Sequence, residues 1–120
     1  NKYRTEVALK YTNGIVNSQV VLPATLVENQ HVFHIFAVRS ENAEEFQKYM
    51  HNRGIQTGRH YPIPIHLQKA YAELGLKKES LPIAEMISRT EVSLPMYYGI
   101  LDTEIKYIVD TINEYKIDRY

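Results

Sequence analysis

The sequence predicts an α+β fold, or an open-faced α/β layer, in which helices cover a small sheet. Helical and extended patterns alternate along the chain as helix, strand or hairpin, helix, strand, two helices, strand and helix. The chain has 120 residues, a length that supports one hydrophobic core. Since no repeat, low-complexity tract or internal linker interrupts this order, residues 1–120 are predicted to form a single domain.

The first predicted element is a helix over about residues 2–12. Val7 and Tyr11 recur at helical spacing before a stop signal at Asn13 and Gly14. Because the chain opens inside this pattern, without an initiator methionine, we expect an upstream segment from which the helix continues. The helix is followed by a short extended piece at 20–23 and a turn at 28–30.

The strongest strand pattern covers residues 31–39. Alternation places its side chains on two faces: Val32, His34, Phe36 and Val38 on one, and Phe33, Ile35 and Ala37 on the other. Both faces carry apolar side chains, so both are expected to be covered. A helix follows from near Asn42, with Glu45 as the capping-box partner and Gly54 after the helix end.

Prolines and glycines divide the next part of the chain. Residues 55–61 are predicted to form a strand that ends at a turn over 62–64, because proline lacks the N–H that a central strand needs. A helix is predicted over about 67–74, and Gly75 closes it.

The C-terminal part is predicted to contain two helices and a strand. Pro82 fits the first turn of a helix over 83–89, where its missing N–H costs nothing. A short strand at 92–95 is stopped by proline. Asp102 is predicted to cap the last helix. The apolar stripe of that helix consists of Ile105, Ile108, Val109 and Ile112.

Composition excludes several classes of function. Lys+Arg and Asp+Glu number 14 each, so no net field recruits nucleic acid or an anionic membrane. The absence of cysteine excludes disulfides, thiolate catalysis and cysteine metal sites, and it fits a reducing compartment. No apolar run approaches the ~20 residues of a membrane span, and no signal peptide heads the chain. We therefore expect a cytoplasmic protein with neither nucleic-acid nor membrane partners.

The most informative segment is 54–68, GIQTGRHYPIPIHLQ, which holds two glycines, two prolines, two histidines, an arginine and a tyrosine. His60 and Tyr61 close the predicted strand immediately before a rigid Pro-x-Pro turn, and His66 follows the turn. Such a turn can present imidazole and phenol groups to a ligand at fixed geometry. The alternative is that His60 packs on its neighbours and Arg59 is solvated, and the residues alone leave the two interpretations balanced.

Other catalytic or metal-binding arrangements are not supported. On a strand His31 and His34 point to opposite faces, and no HExxH motif, cysteine pair or carboxylate triad accompanies them. No metal site is therefore predicted. The sequence also lacks the GxSxG elbow of serine hydrolases and the GxxxxGK phosphate loop.

Several coupled motifs resemble one family. Segment 54–68, LPIAE at 81–85 and SLPMY at 93–97 are similar to the C-terminal region of the DegT/DnrJ/StrS-type sugar aminotransferases. HVFHIFAVR at 31–39 matches the strand that precedes them in that family. The resemblance runs over essentially the whole chain, with the motifs in the same order and at plausible spacing.

This resemblance implies the small C-terminal domain of a fold-type-I pyridoxal-phosphate (PLP) transferase, with a small, mainly antiparallel sheet flanked by helices. Residues 1–13 would form a lead-in helix from a missing N-terminal large domain, and 14–120 the small domain. Family members move an amino group, usually from glutamate, to a nucleotide-linked keto sugar for polysaccharide, lipopolysaccharide or amino-sugar biosynthesis. They usually act as homodimers with active sites at the subunit interface.

The resemblance also ranks the site residues. His60 matches the family histidine that approaches cofactor and substrate, while Tyr61 and His66 are further candidates for the sugar-nucleotide pocket. Arg59 could meet a phosphate or carboxylate, although strand alternation puts it opposite His60. The family's Schiff-base lysine lies upstream, so no catalytic residue is expected in this segment, PLP would be bound mainly by the large domain, and this chain alone should be inactive.

Two alternatives remain open from the sequence. One is a non-catalytic nucleotide-sugar-binding module that retains this domain, and the other is a structural dimerisation module. The substrate preference is also open, because Arg59 stands where the family more often has an apolar residue and Tyr97-Tyr98-Gly99 is looser than the family's usual proline-bearing end.

Overall fold

The sheet on which the helices pack consists of short antiparallel strands. The computed structural model describes residues 2–25 and 31–117. Within those ranges the strands are β1 (Val20–Val21), β2 (Phe36–Ser40) and β3 (Glu91–Leu94), in the order β1-β2-β3. In the register of the longer pair, Phe36 lies opposite Leu94 and Val38 opposite Val92. The predicted α+β class with a small antiparallel sheet is confirmed.

Four α-helices and two 3-10 helices surround this sheet in the described ranges. The α-helices are α1 (Lys2–Gly14), α2 (Ala43–His51), α3 (Pro82–Thr90) and α4 (Asp102–Asn113). The 3-10 helices cover Ile65–Leu67 and Lys69–Leu74. None of these helices is long and apolar enough to cross a bilayer. The turn predicted at 28–30 lies outside the described residues.

The core lies between one face of the sheet and helices α1, α2 and α4. Phe36 and Val38 of β2 are completely buried, as are Phe46 and Met50 of α2. Helix α3 covers the opposite face of β2. There the Arg39 guanidinium lies 3.3 Å from the Met86 sulfur. The expectation that both faces of this strand are covered is thus confirmed for residues 36–40.

Local capping signals predicted α2 and α3 correctly. The Asn42 side chain accepts a hydrogen bond from the Glu45 backbone N–H at 3.1 Å, and Pro82 occupies the first turn of α3. The start of α4 differs from the prediction. Leu101, not Asp102, is the N-cap, and the Glu104 carboxylate accepts the Leu101 N–H at 2.9 Å.

The strand predicted over 31–39 begins only at Phe36, so the prediction is wrong for residues 31–35. Phe33 has a positive φ of 51°, which interrupts extended geometry, and its N–H bonds to the His31 ring at 2.8 Å. The Arg4 guanidinium donates hydrogen bonds to the backbone carbonyls of Phe33 and His34, at 3.3 and 3.0 Å. These backbone groups are occupied by side chains, so they cannot extend the sheet.

The strand predicted over 55–61 is also wrong, because only one bridge forms, between Gly58 and Ser93. Side chains form hydrogen bonds with several of the other backbone groups. The Thr57 N–H donates to the His51 ring at 3.2 Å, and its carbonyl accepts from Gln47 at 3.2 Å. The segment therefore crosses β3 at one point instead of pairing along it.

The helix predicted over 67–74 is replaced by the two 3-10 helices. They are separated at Gln68, whose ψ of 146° is extended. Gly75 does end the second one, at a φ of 70° that glycine adopts freely. Residues 69–76 are exposed, so no packed apolar stripe stabilises a longer α-helix there.

The loop before α3 is organised by a buried carboxylate. Glu85 accepts the backbone N–H groups of Glu79 at 2.7 Å and Leu81 at 3.1 Å, and its Oε2 lies 3.3 Å from the His66 Nε2. These contacts, the Glu79 N–H first, hold the pKa of Glu85 below its ordinary value.

Helix α1 is fastened to the end of β3 by a buried tyrosine. Tyr11 is completely buried, its ring lies 5.1 Å from that of Phe36, and its hydroxyl donates to the Pro95 carbonyl at 2.7 Å. Burial raises the pKa of Tyr11, so the hydroxyl keeps its proton and remains a donor.

Replacing Tyr11 by Phe should lower the free energy of unfolding by about 1 kcal/mol, because the Pro95 carbonyl loses its donor. Urea unfolding of the chain measures this. Tyr98→Phe is the matched control, since Tyr98 is 90% exposed, and it should change stability by less than about 0.5 kcal/mol. Equal effects of the two substitutions would contradict the assigned role of the Tyr11 hydroxyl.

Replacing Glu85 by Gln should destabilise the chain at neutral pH and much less in acid. Because the folded-state pKa is lowered, the carboxylate's contribution is complete above the unfolded-state pKa of about 4.3 and is lost as pH falls through the folded-state value. Unfolding free energies of wild type and variant, measured across this acid range, should converge. The exposed Glu73 provides the control Glu73→Gln, whose difference from wild type should not depend on pH.

Candidate functional site

His60 is held against β3 by a short hydrogen-bonded chain. Its backbone N–H donates to the Glu91 Oε2 at 2.7 Å, and its Nδ1 lies 2.7 Å from the Ser93 Oγ. The Ser93 hydroxyl in turn donates to the Glu91 Oε1. Glu91 and Ser93 are 4% and 6% exposed, while His60 is exposed. The Nδ1 edge of the imidazole is thus held by Ser93 and, through it, by Glu91, both of which are buried.

Gly58 sets the approach of this loop to the strand. Gly58 and Ser93 exchange two backbone hydrogen bonds, of 3.1 and 2.8 Å. A Cβ at position 58 would lie 3.2 Å from the His60 Cε1 and 3.9 Å from the Ser93 Cβ. The absence of a side chain at Gly58 therefore leaves the space in which the imidazole lies beside Ser93.

The sequence singles out His60 as a candidate but not its partners Glu91 and Ser93. The strand predicted over 92–95 includes Ser93 and begins after Glu91. The available signal was a pair of polar residues two positions apart on a strand, since alternation directs both side chains to the same face. A buried glutamate in such a pair needs a hydrogen-bonding partner, and His60 together with Ser93 provides it.

Tyr61 shares the exposed edge with His60. Its ring centroid lies 5.5 Å from that of His60 at an interplanar angle of 68°, and the residue is 58% exposed. Further exposed apolar side chains follow along the chain; they are Ile63, Ile65, Tyr71 and Leu74. The edge therefore combines an imidazole and a phenol, and exposed apolar side chains follow it along the chain.

Arg59 points away from His60. Its Nη2 donates to the Ser88 carbonyl near the end of α3. A guanidinium near the last carbonyls of a helix is favourable, because the carbonyl end of the helix dipole is negative. The Arg59 guanidinium is thus engaged with α3 rather than with the edge formed by His60 and Tyr61, and this position does not depend on strand alternation, since residues 59–61 form no strand.

His66 is buried rather than exposed. It is 6% exposed and contacts the Glu85 carboxylate under the start of α3. The structure gives it a partner in the loop that Glu85 organises, and this chain presents its side chain to no open surface.

A separate cleft of about 550 Å³ lies between the residues after α2, the end of β3 and α4. Tyr97 lines it and donates to the Glu104 carboxylate at 2.8 Å, a bond that raises the pKa of Tyr97. His60 does not line this cleft. Tyr97 and Tyr98 are 48% and 90% exposed, so neither is a core residue.

Within residues 2–25 and 31–117 no group of three His, Asp or Glu side chains is arranged to hold a metal ion. The described part of the chain also does not fit covalently bound PLP. Each of its lysines is exposed, and none is among the residues in contact with His60. No step of PLP chemistry is therefore assigned to this chain.

Comparison with known proteins shows that this chain is similar to sugar aminotransferases. The chain is 41% identical over 115 residues to the dTDP-3-amino-3,6-dideoxy-alpha-D-galactopyranose transaminase of Aneurinibacillus thermoaerophilus, covering 96% of this chain and 31% of that protein. The chain thus spans about a third of the length of such relatives, and it matches their C-terminal part.

Solved structures agree with the sequence relatives. The crystal structure of DesV from S. venezuelae, in complex with a ketimine intermediate, superposes with a TM-score of 0.92 at 32% identity over 98% of this chain and 32% of that one. The PLP form of the sugar aminotransferase Spr1654 from Streptococcus pneumoniae gives a TM-score of 0.80 at 26% identity, over 93% of this chain and 30% of that one.

The family model of the DegT/DnrJ/EryC1/StrS aminotransferases matches residues 1–113, and the resemblance derived from the sequence motifs is confirmed. The family and its structurally known members are PLP enzymes. The chain belongs to the DegT/DnrJ/EryC1/StrS aminotransferase family.

Proposed function

We propose that this chain is the C-terminal part of a PLP-dependent aminotransferase that moves an amino group to a nucleotide-linked keto sugar. The observation that carries the proposal is the coincidence of the family match over residues 1–113 with the exposed His60, held by buried groups of β3. The named transaminase relative acts on a dTDP-linked sugar, which supports this substrate class.

His60 and Tyr61 are the residues of this chain that would meet the ligand. His60 is anchored through its Nδ1 edge, so its outer edge is available for a hydrogen bond. Tyr61 lies beside it and offers a hydroxyl and a ring face. His66 and Arg59 would not contact the ligand in this proposal. His66 supports the loop before α3, and Arg59 attaches α3 to the segment that contains His60.

PLP is bound mainly by a large domain outside this chain. The length of the match supports this assignment, because the chain spans about a third of its relatives and corresponds to their C-terminal part. Residues 1–13 lead in from that domain, and 14–120 form the small domain. The whole enzyme would be a cytoplasmic homodimer with glutamate as the amino donor, serving polysaccharide, lipopolysaccharide or amino-sugar biosynthesis.

The runner-up is a non-catalytic module that binds nucleotide sugars or mediates dimerisation. The exposed apolar residues after Tyr61 favour it, since such surfaces mark interaction sites. A reading frame that contains this chain but encodes no lysine-bearing PLP-binding segment upstream would decide for the module and against the enzyme.

In the full-length protein, replacing His60 by Ala should lower transamination by roughly 10- to 100-fold, the range expected for the loss of one hydrogen bond to a charged or reacting group. The absorbance of bound PLP and the melting temperature should stay close to wild type. His34→Gln is the matched control, because His34 is also exposed and, within residues 2–25 and 31–117, forms hydrogen bonds through its backbone carbonyl and not its ring. Unchanged turnover in His60→Ala would remove His60 from the site.

The isolated chain should neither catalyse transamination nor develop the absorbance of protein-bound PLP when the cofactor is added. The physical reason is that its lysines are exposed and no enclosed amine is present to form the bond. Spectrophotometric titration with PLP measures this, with the full-length protein as the positive control. Stoichiometric cofactor binding by the isolated chain would contradict the two-domain proposal.

A further inference from the structure

The hydrogen-bond directions around His60 determine which of its nitrogens carries the proton. Both oxygens of the Glu91 carboxylate act as acceptors, one from the His60 backbone N–H and the other from the Ser93 hydroxyl. A serine hydroxyl has a single proton to donate. Once that proton is directed to Glu91, the Ser93 oxygen can act toward the imidazole only as an acceptor.

The His60 Nδ1, 2.7 Å from this oxygen, must then be the donor. In a neutral imidazole only one nitrogen is protonated, so the Nε2 holds a free lone pair. Among the described residues the Nδ1 has a hydrogen-bond partner and the Nε2 has none, and His60 as a whole is exposed.

We propose that Glu91 and Ser93 are positioning residues that hold His60 in its Nδ1-protonated form and present the Nε2 as a hydrogen-bond acceptor to the ligand. This inference rests on the proposed function, since it assigns the ligand edge of the same site. It also restricts the ligand chemistry. The group that meets neutral His60 is a proton donor, such as a sugar hydroxyl or an ammonium group, rather than a phosphate or carboxylate oxygen.

If the hydrogen bonds among His60, Ser93 and Glu91 only held the loop in place, the tautomer of His60 would not matter. The bond from the His60 N–H to Glu91 fastens the backbone regardless of the ring. The bond from the ring to Ser93 adds little to that attachment, but it sets the tautomer. Replacing Ser93 by Ala removes the ring contact and keeps the backbone contact, so it separates the two roles.

The test is ¹⁵N NMR of the full-length protein labelled in its histidine rings, recorded at alkaline pH where imidazoles are neutral. The His60 signals are identified by their loss in His60→Gln. Wild type should show the Nδ1-protonated form, and Ser93→Ala should shift His60 toward the Nε2-protonated form. Ser93→Thr keeps the hydroxyl and should retain the wild-type pattern. Ser88→Ala is the matched control, because Ser88 is equally buried, at 6%, on α3.

Steady-state kinetics complete the test. Ser93→Ala should lower kcat by about tenfold, with KM less affected and the melting temperature close to wild type, as expected when a partner that orients a functional histidine is lost. Ser93→Thr should recover most of kcat.

An Nε2-protonated His60 in wild type would overturn the inference, and so would a tautomer that Ser93→Ala leaves unchanged. A shifted tautomer with wild-type kcat and KM would remove the positioning role. These results are distinct from a failure of the proposed function, which would appear as absent transamination in wild type while the NMR pattern still decides the roles of Glu91 and Ser93.

Discussion

The attachment of the loop over 55–61 to β3 is the constraint on which the site depends. This loop has no continuous ladder to the sheet; it is held by the Gly58–Ser93 bridge and by the Glu91 carboxylate. In a regular strand, the His60 N–H would have met a carbonyl of β3. Because Glu91 takes that place, the backbone turns away from the sheet at His60, and the ring remains at the surface above Ser93.

The rigidity of this attachment comes from elements far away in sequence. β3 pairs with β2, whose Phe36 and Val38 lie in the core beneath α1 and α2. Tyr11 connects α1 to the carbonyl that follows β3, and Tyr3 reaches the Ile100 carbonyl at 3.1 Å. The first helix therefore completes the core that supports the site, and it also forms the lead-in from the large domain that we propose.

The sequence predicted elements whose signals are local and missed those decided by distant side chains. Asn42 and Pro82 mark helix starts through their own chemistry, so α2 and α3 were predicted correctly. Residues 31–35 and 55–61 have strand-like patterns. However, the Arg4 side chain forms a hydrogen bond with the backbone of the first segment, and the Glu91 side chain does so with the backbone of the second. Periodicity reports the preference of a segment and contains no information about such competitors.

In the nucleotide-sugar site that we propose, this chain contributes His60 and Tyr61 but, among its described residues, no cation beside them. The cation adjacent to His60 in sequence, Arg59, is directed to the carbonyl end of α3. The remaining edge consists of the His60 imidazole and the Tyr61 phenol, which suit hydroxyl groups and sugar faces better than phosphates. The negative charge of a nucleotide would then be met by groups outside this edge, and the contribution of His60 would be to orient the sugar.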